Sequence, residues 1–133
     1  MNKNEAEQIP KGIETIFFID DEENLRSMSK RLLIRLGYKV ILAEDGFEAC
    51  QLYENKAVEI DLIILDLIMP KQSGVATFKK LREINPLAKI LVVSGYSING
   101  NVQQLLDNGA AGFIQKPFDF ILLANEIRTI LDN

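Results

Sequence analysis

Four acids, Asp20, Asp21, Glu22 and Glu23, follow the apolar run Ile16, Phe17, Phe18, Ile19 without a break. Asp66 closes the run "LIILD", Ser94 closes "LVVS", and Lys116 follows "GFIQ". With no histidine and one cysteine, Cys50, in 133 residues, any chemistry falls to carboxylates, hydroxyls and lysine. A cysteine-based zinc site and an intrachain disulfide are both excluded. Carboxylates brought close together repel one another, and a divalent cation with a lysine offsets that. Ligands that are all oxygen favour Mg2+ over zinc or copper. A carboxylate beside Mg2+ can act as a nucleophile toward phosphorus and form an aspartyl-phosphate. In that chemistry Mg2+ and Lys116 would neutralise the phosphoryl oxygens, and the Ser94 hydroxyl would donate a hydrogen bond to them.

Each residue also has a plainer reading. An acid ahead of a helix is usually an N-cap, which would account for Asp20 or Asp21. Asp66 before a Pro/Gly loop reads as a turn residue. Ser94 beside Gly95 reads as a turn serine, Lys116 before Pro117 as a solvated lysine, and Cys50 as a small core or helix-surface residue. What the plain readings leave unexplained is the position of these residues relative to the elements around them.

Short apolar runs at 15–19, 39–43, 61–65, 89–93 and 112–115 alternate with helical patterns. Several are almost wholly apolar, as strands covered on both faces are. In the first helix Leu25, Met28, Leu32 and Leu36 form a stripe that Gly37 ends. Asp45 caps a second, running to about Ala57. A third covers 74–84 and stops before Pro86. A fourth, over about 98–108, is weak because it holds Asn99, Gly100 and Asn101. The fifth starts near Asp119 and aligns Phe120, Leu123, Ala124, Ile127, Ile130 and Leu131 on one face.

This alternation implies an α/β fold: a doubly wound, five-stranded parallel sheet with helices on both faces. The expected strand order is the flavodoxin-like 2-1-3-4-5, with ligands at the carboxyl ends of the strands where the order reverses. That point lies between strands one and three, where Asp20, Asp21 and Asp66 would converge.

The segments "FFIDDEENL", "LIILDLIMPKQSG", "ILVVSGYS" and "GAAGFIQKPF" resemble the receiver domain of bacterial two-component response regulators. The likeness spans 14–133 and leaves 1–13 as a linker or flexible tail. It implies that Asp66 is the phosphoacceptor and that Asp21 is a direct Mg2+ ligand. Asp20 would hold the metal through water, and Ile68 would offer only its backbone carbonyl. It further implies that Ser94 is the switch hydroxyl, Lys116 the partner of the phosphoryl group, and Phe113 the switch aromatic, without a tyrosine hydroxyl. The Lys116–Pro117 bond is expected to be cis. The implied donor is a histidine kinase or phosphotransfer protein. The implied output is a downstream protein bound through helix four, strand five and helix five. Ile68 and Tyr96 are expected to flank the approach of a hydrolytic water without orienting it. "KGIETIFFIDDEE" is similar to the junction before the carboxy-terminal receivers of hybrid sensor kinases. With no output domain after Asn133, a stand-alone receiver and a segment of a hybrid kinase both remain open.

A net charge of −4 argues against direct nucleic-acid binding, which needs a basic face. No apolar run reaches a membrane span and no signal peptide is present, so a cytoplasmic location is expected. The alternative is a Mg2+-dependent phosphatase or phosphotransferase of haloacid dehalogenase type. That chemistry wants an acid two residues after the nucleophile, where Ile68 stands. A flavin carrier would need a phosphate-binding loop where Asp20 to Glu23 lie. A module that keeps the fold without phosphorylation would not need the complete acid set and Lys116. The chain is expected to accept a phosphoryl group and not to turn over substrate as an enzyme.

Overall fold

A computed structural model describes residues 9–69, 71–95 and 100–133. Five strands, β1 (Thr15–Ile19), β2 (Lys39–Ala43), β3 (Leu62–Asp66), β4 (Ile90–Ser94) and β5 (Gly112–Gln115), alternate with five helices. These are α1 (Glu23–Arg35), α2 (Gly46–Lys56), α3 (Gly74–Ile84), α4 (Gly100–Asp107) and α5 (Phe120–Leu131), with one 3-10 turn (Ala57–Glu59) after α2. All strand pairs are parallel and the order is β2-β1-β3-β4-β5, the flavodoxin-like arrangement expected from the sequence.

β1, β2 and β5 have the expected bounds, but β3 and β4 sit one residue later, so Asp66 and Ser94 are the last residues of their strands. The cause is pairing carried past the apolar runs. The Leu67 N–H donates to the Val93 carbonyl at 3.0 Å and the Lys116 N–H to the Ser94 carbonyl at 2.7 Å. Both polar residues therefore inherit the position of a packed sheet.

Alternation along the strands sorts side chains onto two faces. Phe17, Ile19, Ile63, Leu65, Ile90 and Val92 pack with Tyr53 of α2, Phe78 and Leu81 of α3, and Leu105 of α4. Ile16, Phe18, Leu62, Ile64, Leu91, Val93 and Ile114 pack with Leu33 of α1 and with Leu123, Ile127 and Ile130 of α5. Every residue of β3 and β4 is buried. The stripe expected on α1 is rotated: Ser29 and Leu33 are its buried residues, while Met28 is 43% exposed. Apolar spacing identified the helix but not which of two neighbouring stripes meets the sheet. On α4 the described residues begin at Gly100, with Val102 and Leu105 buried, and Ile98 and Asn99 lie outside the described residues.

Asp45, Ser73 and Asp119 cap α2, α3 and α5, accepting from the Glu48, Ala76 and Leu122 N–H groups. The N-cap of α1 is Glu22, with no side-chain cap bond, so neither Asp20 nor Asp21 is used as a helix cap. Residues 9–13 form no element, yet the Gly12 N–H donates to the Leu36 carbonyl at 3.0 Å. Arg128 of α5 reaches back to the Lys11 carbonyl at 3.1 Å and to Glu14 at 2.6 Å. Its guanidinium holds the Glu14 carboxyl down at about 2.

The loop after Asp66 closes on itself at Gly74, whose N–H donates to the Leu67 carbonyl at 3.0 Å. A Cβ built there would lie 2.3 Å from the Leu67 Cα, so any side chain forces the backbone of that loop apart. Gly74→Ala is expected to cost about 1–3 kcal/mol of stability, the usual range for overpacking, read as a lower urea midpoint with an unchanged slope.

Candidate functional site

The same alternation that builds the core selects the residues of the site. Ile16 and Phe18 lead to Asp20, Leu62 and Ile64 to Asp66, and Ile114 to Lys116, at steps of two. All three polar groups thus continue the sheet face covered by α1 and α5, at the carboxyl ends of β1, β3 and β5. Lys116 reaches over the end of β4 from a turn whose Lys116–Pro117 bond is cis, as expected.

The Lys116 ammonium lies 2.8 Å from an Asp20 carboxylate oxygen, 3.3 Å from Asp66 and 3.7 Å from Glu22. Asp20 and Asp66 are 2% and 4% exposed, whereas Asp21 stands open to solvent. Asp20, Asp21 and Asp66 each offer an oxygen within 4.8 Å of the others. Among the described residues this is the one such acid group, and without imidazole or thiolate it suits a hard cation. The Ile68 N–H donates to Asp66 at 3.2 Å, so the turn role of Asp66 is real and coexists with its place in the cluster.

Burial, then the neighbouring Asp20 charge, pushes the Asp66 carboxyl up to about 6, against the pull of Lys116. Burial opposes the charge of Lys116, but its bonds and charge interactions with Asp20 and Asp66 outweigh this and raise its pKa. Asp66 is therefore a desolvated carboxylate with one oxygen held by a lysine, a good ground state for attack on an electrophile that brings its own charge compensation.

Ser94 is buried at the end of β4. Its strand position places it on the opposite sheet face, with Val92, and Val92 pairs with Phe113 of β5. Phe113 is half-buried against the cluster that contains Leu105 of α4, and it lies below the strand ends, apart from the acids. Ile68 is 52% exposed at the rim. Tyr96 lies outside the described residues.

Two further residues enter the site to which the sequence reading gave no role there. Glu22 adds a third acid to Lys116. Arg26, four residues on, donates to the Asp20 backbone carbonyl at 2.8 Å. The spacing of Glu22 and Arg26 across the first turn of α1 is the only trace of this in the sequence, and it reads as an ordinary surface pair.

The family described as response regulator receiver domain matches residues 16–128. The sensor kinase CckA of Brucella abortus is 31% identical over 121 residues, which are 91% of this chain and 13% of that protein. The transcriptional regulatory protein CpxR of Escherichia coli is 37% identical over 116 residues, 87% of this chain and 48% of that protein. The chain thus spans less than half the length of either curated relative. A chain in the crystal structure of the CheX-CheY-BeF3-Mg+2 complex from Borrelia burgdorferi superposes with a TM-score of 0.84 at 26% identity, covering 88% of both chains.

A raised carboxyl pKa also fixes the sign of a stability effect. The folded state binds the Asp66 proton more tightly than the unfolded chain, with a pKa of about 6 against 3.8. Ionisation of Asp66 therefore destabilises the fold above about pH 6, and the effect disappears as pH falls through 3.8. In the absence of divalent metal, Asp66→Asn is expected to stabilise the protein by about 1–3 kcal/mol at pH 7. Urea unfolding in EDTA at pH 7.0 and about pH 4 checks this, with the gain shrinking at the lower pH.

Proposed function

The chain belongs to the response regulator receiver domain family, and from that premise we propose that Asp66 accepts a phosphoryl group from a histidine of a partner kinase or phosphotransfer protein. The observation that carries this is a buried Asp66 with Lys116 at 3.3 Å and two further acids within 4.8 Å. The receiver unit is taken as 14–133 and residues 1–13 as the connecting segment. Phosphoryl supply by an ATP-dependent kinase puts the domain in the cytoplasm.

Asp21, Asp66 and the Ile68 backbone carbonyl would hold Mg2+, with Asp20 acting through water. The donor set fits, since every ligand is an oxygen and two of the acids are already oriented by the ends of buried strands. Mg2+ when bound supplies charge neutralisation on the phosphoryl oxygens. An Asp66 oxygen attacks phosphorus in line. The P–N bond breaks with its electron pair kept by the imidazole, which takes one proton from solvent, and an acyl phosphate remains on Asp66. As the Asp66 charge moves outward, Lys116 exchanges its Asp66 contact for a phosphoryl oxygen while keeping Asp20.

The Ser94 hydroxyl then donates to the phosphoryl group from the neighbouring strand end. Ser94 shares a sheet face with Phe113, and Phe113 packs toward Leu105 of α4. Movement of Ser94 toward the phosphoryl group opens space that the Phe113 ring fills, and the face of α4, β5 and α5 changes shape for a downstream protein. α4 is the helix to move, since among its described residues only Val102 and Leu105 are buried. The haloacid dehalogenase alternative finds no support, because the position two residues after Asp66 carries the apolar Ile68. The domain is a phosphoacceptor with signalling output in place of substrate turnover.

Incubation with Mg2+ and acetyl phosphate is expected to add the mass of one phosphoryl group, and Asp66→Asn should abolish it. Labelling of that variant to the same extent at another residue would sink the assignment. The phosphorylated state is expected to be long-lived, because Ile68 and Tyr96 offer no carboxylate or amide to orient a water. Ile68→Asn combined with Tyr96→Glu should lose phosphate several-fold faster than the parent at equal Mg2+, followed by intact-protein mass over time.

A further inference from the structure

We infer that Arg26 is a positioning residue that sets the direction of Asp21, and through it the affinity of the acid cluster for Mg2+. This rests on the Mg2+ site proposed above. Asp21 is exposed, and among the described residues no hydrogen bond or ion pair holds its carboxylate. Where its side chain starts is therefore set by the backbone alone, and its rotamer is left to whatever it binds. The Asp20 carbonyl and the Asp21 N–H belong to one planar peptide unit. Whatever fixes that carbonyl fixes the plane from which the Asp21 side chain departs.

That carbonyl accepts from the Arg26 Nη1 at 2.8 Å. The other bonds at the turn act elsewhere. The Asp20 N–H donates to the Ala43 carbonyl at 3.1 Å, and the Glu22 N–H donates to the Asp20 carboxylate at 2.9 Å. They hold the peptides on either side and leave the middle one to Arg26. The guanidinium is well placed for this task. It rises from the first turn of α1, its side chain is 16% exposed, and its Nη2 lies 4.0 Å from Glu44 beyond the end of β2. A rigid, planar fork between two elements holds one carbonyl better than a flexible ammonium would.

Arg26 also brings a positive charge close to a cation site, and the two effects have opposite signs. By charge alone, its removal would tighten Mg2+ binding. By positioning, its removal frees the Asp20–Asp21 peptide and weakens binding, with about tenfold typical for a lost partner of this kind.

The experiment is calorimetric titration of Mg2+ into the unphosphorylated full chain. Arg26→Ala is expected to bind about tenfold more weakly. Arg26→Gln, which keeps a donor but no charge, is expected to recover part of the loss. Unchanged melting in EDTA separates this from a fold defect, and where Arg26→Ala fails to fold, Arg26→Gln carries the test with a several-fold loss. Affinity equal to or tighter than the parent in the folded variant overturns the positioning role. Failure of the parent to bind Mg2+ overturns the underlying site, and this inference with it.

Discussion

Two carboxylates, Asp20 and Asp66, are buried side by side at the carboxyl edge of the sheet, and the surrounding structure is organised to bear their repulsion. Lys116 is the compensating charge, touching both. It reaches them only because β5 is paired beyond its apolar run, through the Lys116 N–H on the Ser94 carbonyl. The compensation is incomplete, and the Asp66 carboxyl still sits at about 6. A folded domain that carries such a residual strain in charge is one whose stability responds to a cation or a phosphoryl group arriving at that point. The link runs from burial, to pKa, to the ligand the site favours.

The sheet divides these residues between its two faces. Asp20, Asp66 and Lys116 continue the face covered by α1 and α5, while Ser94 and Phe113 belong to the face covered by α2, α3 and α4. Period-two alternation makes this division at no cost in backbone geometry. Ser94 stands at the end of β4 while belonging, by alternation, to the other face. Every residue of β3 and β4 is buried, so both sets stand on the packed centre of the sheet.

The supports of the acid cluster differ in kind. Asp66 is fixed as a strand residue, and the Asp20 carboxylate by Lys116 and the Glu22 N–H. Asp21 has neither, and depends on how its peptide is turned. The acids form one cluster, but their precision comes from three separate sources: sheet pairing, an ion pair and a guanidinium on a carbonyl.

The sequence by itself determined the sheet and which polar residues close its strands. Apolar runs of strand length between amphipathic helices allow few topologies, and polar residues closing those runs must gather at one edge. Asp20, Asp21, Asp66, Ser94 and Lys116 were legible for that reason, as were the caps at Asp45 and Asp119. Hydrophobicity marks burial, however, and not pairing or rotation. The one-residue extension of β3 and β4 depends on ladder bonds made by polar ends, and the buried stripe of α1 runs through Ser29, which no apolar pattern selects. Lys116 could be assigned to the acids by charge, but its three distances depend on the turn into α5. Arg26 carries no such signal, because the interaction that matters is with a backbone carbonyl, and every residue has one. Only the tertiary structure decides which carbonyl a long side chain meets, since that follows from the angle at which α1 leaves the sheet.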